Sequence, residues 1–190
     1  SKVAIAYLHS SEVQTFQEQG PPRGIVGQWE AVRGDIGIAH SMLSLAGAYL
    51  AASAKKEPID FIFERDLDAG HLPYETILLP IPYLLSEKQY QNLKKWLTLG
   101  GTLITEARFG LKDENAHLYP KPLMEDLLGV TYEYTIPTAK GFFDGLAGTK
   151  KPRILNKRVG AGKVLAANFS LFLEIKNGNK QWLKAVRSAL

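Results

Sequence analysis

Few residues in this 190-residue chain have types and spacing suited to chemistry, and most of them follow one short apolar run. Glu106, Arg108, Asp113, Glu114 and Asn115 come directly after Leu103-Ile104. A pair of carboxylates ~5 to ~10 Å apart can hydrolyse a glycosidic bond, and Glu106, Asp113 and Glu114 supply three candidates. Nothing in their spacing shows that two of them face each other, so they read as part of a solvated or hydrogen-bonded loop and no catalytic residue is assigned. Arg108, Asp113 and Asn115 form a polar cluster with two open readings. Asp and Asn order a loop by bonding its own backbone, or the three side chains line a cleft or an interface. A serine nucleophile in a Gly-x-Ser-x-Gly turn is absent, and the chain has no cysteine.

Other candidates resolve into plainer readings. Gly160-Ala161-Gly162-Lys163 suggests a phosphate loop, but that motif needs four residues between its glycines and Ser or Thr after the lysine. Val164 follows here, so the segment reads as a hairpin turn. His9, His40, His71 and His117 show no helical ligand spacing and no H-E-x-x-H. No metal site and no cofactor are therefore expected. Trp29, Phe109, Phe142 and Phe143 fall in loops, where aromatics either join the core or form a contact patch. Trp29 is kept as a cleft or interface candidate together with Glu106, Arg108, Asp113, Glu114 and Asn115.

Charge and composition narrow the classes further. The net charge of +4 comes from 23 basic and 19 acidic residues without a basic stripe interleaved with aromatics, so no nucleic-acid partner is expected. No apolar run approaches the ~20 residues that span a bilayer, so no membrane partner is expected either. The absence of cysteine and of a leader segment fits a cytoplasmic setting. The chain opens directly on an apolar run, Val3-Ala4-Ile5-Ala6, which reads as a piece of a longer protein.

The elements that must position these residues alternate between two periods. Residues 3–8, 59–63, 77–81 and 102–105 read as short buried strands. Residues 9–35 read as one long connection, because Gly20-Pro21-Pro22 suits neither helix nor strand. Residues 38–54 read as a helix with an apolar face of Met42, Leu45, Ala46, Tyr49 and Leu50. Residues 66–73 read as a polar turn.

Ser86 and Gln89 form a capping box, Leu85 and Tyr90 a staple, and Gly100-Gly101 a stop, so a helix lies between them. A short helix starts near Pro122 and ends at Gly129. Residues 130–135 read as a strand, 141–152 as irregular, 153–159 and 163–167 as a hairpin, and 179–190 as a closing helix. Strand and helix in alternation imply one three-layer α/β domain over residues 1–190: a mostly parallel sheet, helices on both faces, and a C-terminal β-hairpin. Such sheets bind ligands or partners at the C-terminal ends of their strands, where Glu106 to Asn115 fall.

Several segments together resemble a known family. They are the strand ending at Pro80, Tyr83-Leu84-Leu85-Ser86, Gly100-Gly101-Thr102-Leu103, and Arg108-Phe109-Gly110-Leu111-Lys112-Asp113-Glu114-Asn115. Pro122-Leu123, Leu127-Leu128-Gly129-Val130 and Phe61 add to them. This pattern resembles the middle domain of family 42 glycoside hydrolases, the β-galactosidase trimerisation domain, over a quarter to a half of the chain.

The resemblance implies a flavodoxin-like fold close to class I glutamine amidotransferases, without their Cys-His-Glu triad. It implies a non-catalytic domain that packs against its counterparts in a homotrimer. It also implies that the domain helps to wall an active site in a separate β/α barrel of the same parent protein. A barrel of ~250 residues does not fit in this chain. Residues 9–35 depart from the family's usual first connection, which leaves the galactoside specificity and the trimer open. The alternatives are a stand-alone hydrolase or a sugar-binding module using the same crevice.

Overall fold

The computed structural model describes residues 2–19, 39–55, 57–129 and 152–190. In chain order these carry β1 (Val3–Tyr7), α1 (His9–Gln19), α2 (Ala39–Ala52), β2 (Ile59–Phe63), α3 (Glu64–Ala69), β3 (Thr76–Leu79) and α4 (Glu87–Thr98). Then follow β4 (Thr102–Thr105), α5 (Leu123–Leu128), β5 (Ile154–Val159), β6 (Gly162–Ala167), α6 (Leu171–Lys176) and α7 (Lys180–Arg187). The strands form one sheet in the order β2-β1-β3-β4-β6-β5. Every neighbouring pair is parallel except β5 with β6. The expected three-layer α/β architecture and the C-terminal hairpin are both present.

The period of two along each strand divides the core between the two faces of the sheet. Val3, Ile5, Leu78, Ile104 and Leu165 point to one face, where Ala48, Ala51, Phe172, Ile175 and Val186 cover them from α2, α6 and α7. Ala4, Ala6, Ile77, Leu79, Leu103 and Val164 point to the other, under Leu67, Tyr90, Leu93, Leu97 and Leu127 from α3, α4 and α5. Strands buried on both faces need apolar residues at successive positions, which is why β3 reads Thr-Ile-Leu-Leu. The capping box forms as its spacing requires. Ser86 Oγ accepts from Gln89 N at 3.1 Å, and Gln89 Oε1 accepts from Ser86 N at 3.1 Å.

Four expectations need correction. First, residues 9–19 are a helix, not part of a featureless connection. The helix precedes the Gly-Pro-Pro segment and is anchored by tertiary contact. Ser11 Oγ accepts from Leu84 N at 2.9 Å, and Ser11 and Thr15, one turn apart, are both buried.

Second, the polar turn at 66–73 holds most of α3. Asp66 accepts the Phe63 backbone N–H at 2.8 Å, Leu67 is its buried anchor, and Gly70 closes it at φ 73°. Third, the buried face of α2 is the small-residue face, Ser44, Gly47, Ala48, Ala51 and Ala52, whereas Met42, Tyr49 and Leu50 are exposed. A Cβ on Gly47 would overlap the carbonyl oxygen of Phe172, so α2 and α6 meet backbone to backbone. Small residues won this face because only they allow that approach. Fourth, α6 itself was not expected. Its six residues are too few to display a helical period.

Gly160-Ala161 do form the hairpin turn between β5 and β6. Gly162 lies so close to the Leu97 and Gly101 carbonyls that no side chain fits. The strand expected at 130–135 and nearly all of the stretch 141–152 lie outside the described residues, as do Trp29, Phe142 and Phe143.

Candidate functional site

The site is built at the C-terminal ends of the parallel strands. β4 ends at Thr105, so Glu106 is the first residue beyond it, the position from which a side chain reaches the middle of the crest. Its carboxylate is enclosed, with only 2% of the residue exposed. Oε1 accepts the Ile81 N–H at 2.8 Å and Oε2 accepts the Phe172 N–H at 2.9 Å. Glu106 therefore joins the turn after β3, the end of β4 and the first turn of α6.

The helix end offers unpaired N–H groups that suit a negative charge. Burial nevertheless pushes the carboxyl up to about 7, against the downward pull of the Phe172 and Ile81 N–H groups and of Arg108. Desolvation outweighs the hydrogen bonds because the charge has no contact with water.

The turn that receives Glu106 is strained. Ile81 has φ 45°, a conformation that β-branched residues rarely adopt. Arg108 at φ 73° and Ala116 at φ 63° lie in the loop after β4, so the three non-glycine residues with positive φ among those described all belong to the crest.

Ile81, whose N–H binds Glu106, belongs to a small separate core with Tyr83, Leu84 and Leu111. Backbone bonds stitch the two loops around it. Gly110 N donates to the Pro82 carbonyl at 2.8 Å, Leu85 N to Lys112 at 3.0 Å, and Lys112 N to Tyr83 at 3.2 Å. Tyr119 adds its hydroxyl to the Leu85 carbonyl at 2.9 Å.

The remaining candidates take different positions around this centre. Arg108 is buried, its guanidinium 5.8 Å from the centre of the Tyr83 ring, and Lys112 lies 5.3 Å from the same ring. Asp113 is turned to its own loop. Its Oδ1 accepts from Asn115 N and His117 N, each at 2.9 Å, and those bonds, His117 first, hold its carboxyl below the usual range. Glu114 and Asn115 are exposed at the loop tip. The structure thus gathers Arg108 and Glu106 beneath the loop and sets Asp113, Glu114 and Asn115 on top of it. Phe109 belongs to the core, edge-on to Tyr90 at 6.4 Å.

A second polar group at the crest was not found in the sequence. The Tyr7 hydroxyl donates to Glu12, His9 Nδ1 lies 3.6 Å from Glu12, and Ser10 N donates to Glu64 at 2.9 Å. The bond to Glu12 and burial push Tyr7 up to about 12. The sequence hides this group because residues 9–35 read as one connection and no spacing rule links His9, Ser10 and Glu12 to Glu64. Among the described residues no three His, Cys, Asp or Glu side chains group as metal ligands.

Comparison with known proteins matches this arrangement to one family. A family model described as "Beta-galactosidase trimerisation domain" matches residues 1–141. The β-galactosidase BgaB of a Geobacillus species is 38% identical over 68 residues, which are 34% of this chain and 10% of that protein. The β-galactosidase BbgII of Bifidobacterium bifidum is 37% identical over 68 residues, again 34% of this chain and 10% of that protein. The solved β-galactosidase of the haloarchaeon Halorubrum lacusprofundi superposes with a TM-score of 0.68 at 17% identity, over 100% of this chain and 30% of that one. The chain thus spans about a third or less of these proteins.

Proposed function

The chain belongs to the β-galactosidase trimerisation domain family, and on that premise we propose that it is a non-catalytic accessory domain of a longer glycoside hydrolase. In this reading its parent acts on β-galactosides through a separate barrel domain, and this domain joins subunits and supports the wall of the neighbouring active site. The cleft or interface role of Arg108, Asp113, Glu114, Asn115 and Trp29 is part of the same proposal.

One observation carries it. The position at the head of β4, where a reacting group would meet a ligand, holds Glu106, which is buried with both oxygens taken by backbone N–H groups. A general acid or nucleophile must touch the bond it breaks. Glu106, sealed in this way, acts as a structural clamp. The stitched loops above it give a rigid surface, as a supporting wall requires.

The experiment is an assay of the purified chain with a chromogenic β-galactoside, run beside a measurement of its mass in solution. Association without turnover supports the accessory reading. Turnover lost on Glu106→Gln would establish a stand-alone hydrolase instead. Saturable sugar binding by a monomeric chain would establish a binding module.

A further inference from the structure

We propose that the cavity between the C-terminal ends of β1 and β3 binds the ammonium group of a small primary amine. The accessory role assigns nothing to this cavity, so the inference goes beyond it.

Topology puts the cavity where an α/β sheet makes ligand sites. From β1 the chain moves to β2 on one side and then returns to β3 on the other. The strand order therefore reverses between β1 and β3, and a crevice opens where the two connections part. Pro80 and Ile81, buried just past the end of β3, line the cavity from below. Tyr7 at the end of β1, Glu12 on α1, and Ser41 and Leu45 on α2 line it too, and all four are partly exposed. It measures about 10 Å³, room for about one water-sized group.

Polar groups converge here with capacity to spare. The Tyr7 hydroxyl donates to Glu12 Oε2, and His9 Nδ1 lies 3.6 Å from the same oxygen. Glu12 Oε1 and the Ser41 hydroxyl have no partner among the described residues. One turn farther along the two helices, the Thr15 and Ser44 hydroxyls are buried and unpartnered. Buried polar atoms are nearly always satisfied, so this part of the fold lacks donors or acceptors that the chain itself does not supply.

The charge of the site selects a cation. Tyr7 is pushed up to about 12 by its bond to Glu12, by burial and by the charges of Glu12 and Glu64, so it stays a neutral donor. Glu64 accepts the Ser10 N–H at 2.9 Å, and Arg65 beside it turns to the Phe63 ring, 5.7 Å from its centre. The carboxylates thus set a negative potential over the cavity.

Between a metal ion and an ammonium group, the lining favours the second. Hard metal ions take six or more oxygen ligands, and among the described residues no three acidic or histidine side chains group as ligands. An ammonium group has three N–H donors for Glu12 Oε1 and Ser41 Oγ. Leu45, Pro80 and Ile81 give its carbon chain an apolar wall. An occupant would touch α1, α2 and the strained Ile81 turn together, and so join the crest to both helices.

Titration of the chain with methylammonium chloride, followed by amide NMR shifts, tests the site, with methanol as the neutral isostere and sodium chloride as the salt control. Saturable shifts are expected at Glu12, Ser41 and Ile81. Methylammonium has two non-hydrogen atoms, so a Kd of about 10 mM is the strongest that its size permits. Methanol and sodium chloride are expected to give no saturable shift at these residues. Glu12→Gln keeps an acceptor for Tyr7 but loses the charge, and is expected to weaken methylammonium binding about 10-fold. Ser41→Ala removes one hydroxyl, is expected to weaken it several-fold, and carries the test if Glu12→Gln does not fold.

Equal shifts with methanol or sodium chloride, shifts that do not saturate, or a Kd unchanged in both variants would overturn the site and leave the cavity to water. None of these results touches the accessory reading, which is decided by turnover and mass.

Discussion

At the scale of single residues, Glu106 decides how the crest behaves. Burial pushes its carboxyl up to about 7 in the fold from an ordinary value of 4.5. Between those values the folded chain holds a proton that the unfolded chain has released. The contribution of this group to stability is therefore fully present below about 4.5 and is lost as pH rises through about 7, by a few kcal/mol for a shift of this size. Chemical denaturation from pH 4.5 to 8 checks this, and Glu106→Gln is expected to remove the slope across that window.

Glu106→Ala leaves the Ile81 and Phe172 N–H groups buried without an acceptor and is expected to cost ~2–5 kcal/mol. A loss under 1 kcal/mol in urea titration would mean that water replaces the carboxylate freely. The sequence showed Glu106 only as a carboxylate after a strand. Its two partners are 25 and 66 positions away, and neither distance follows from any local pattern. Asp113 was more legible, because an Asx side chain binding two and four residues ahead is a local event.

At the scale of elements, legibility follows the length over which a signal repeats. The helix α4 carries a cap, a staple, an amphipathic stripe and a glycine stop, so its limits could be read directly. Ser86→Ala there is expected to cost about 1 kcal/mol in thermal or urea unfolding.

The small-residue face of α2 is a different matter. Ser44, Gly47, Ala48 and Ala51 are weakly apolar, and Met42, Tyr49 and Leu50 dominate any hydrophobic count. Close approach to α6 reversed that order, since a Leu-rich face would hold the two backbones apart. Gly47→Ala must therefore displace the Phe172 carbonyl. It is expected to cost ~1–3 kcal/mol, a loss that a surface glycine in a helix would not show. The short helices α3 and α6, six residues each, depend on contacts made by the finished fold.

At the scale of the whole molecule, the sheet sets the roles. Among the described residues helices pack on both of its faces, and the crest lies at the C-terminal ends of its parallel strands. At the crest Glu106 is buried beside the Ile81-Tyr83-Leu84-Leu111 core, while Tyr7, His9, Glu12 and Glu64 form a partly exposed polar group. The architecture was readable from strand and helix alternation, and the family from the segments around Pro80 and residues 100–115. The order of the strands in the sheet was not readable, because it is a property of topology. Turnover of a chromogenic β-galactoside by the purified chain tests the central claim most directly. No hydrolysis above the buffer rate is expected at any pH from 4.5 to 8. Hydrolysis that Glu106→Gln abolishes would contradict it.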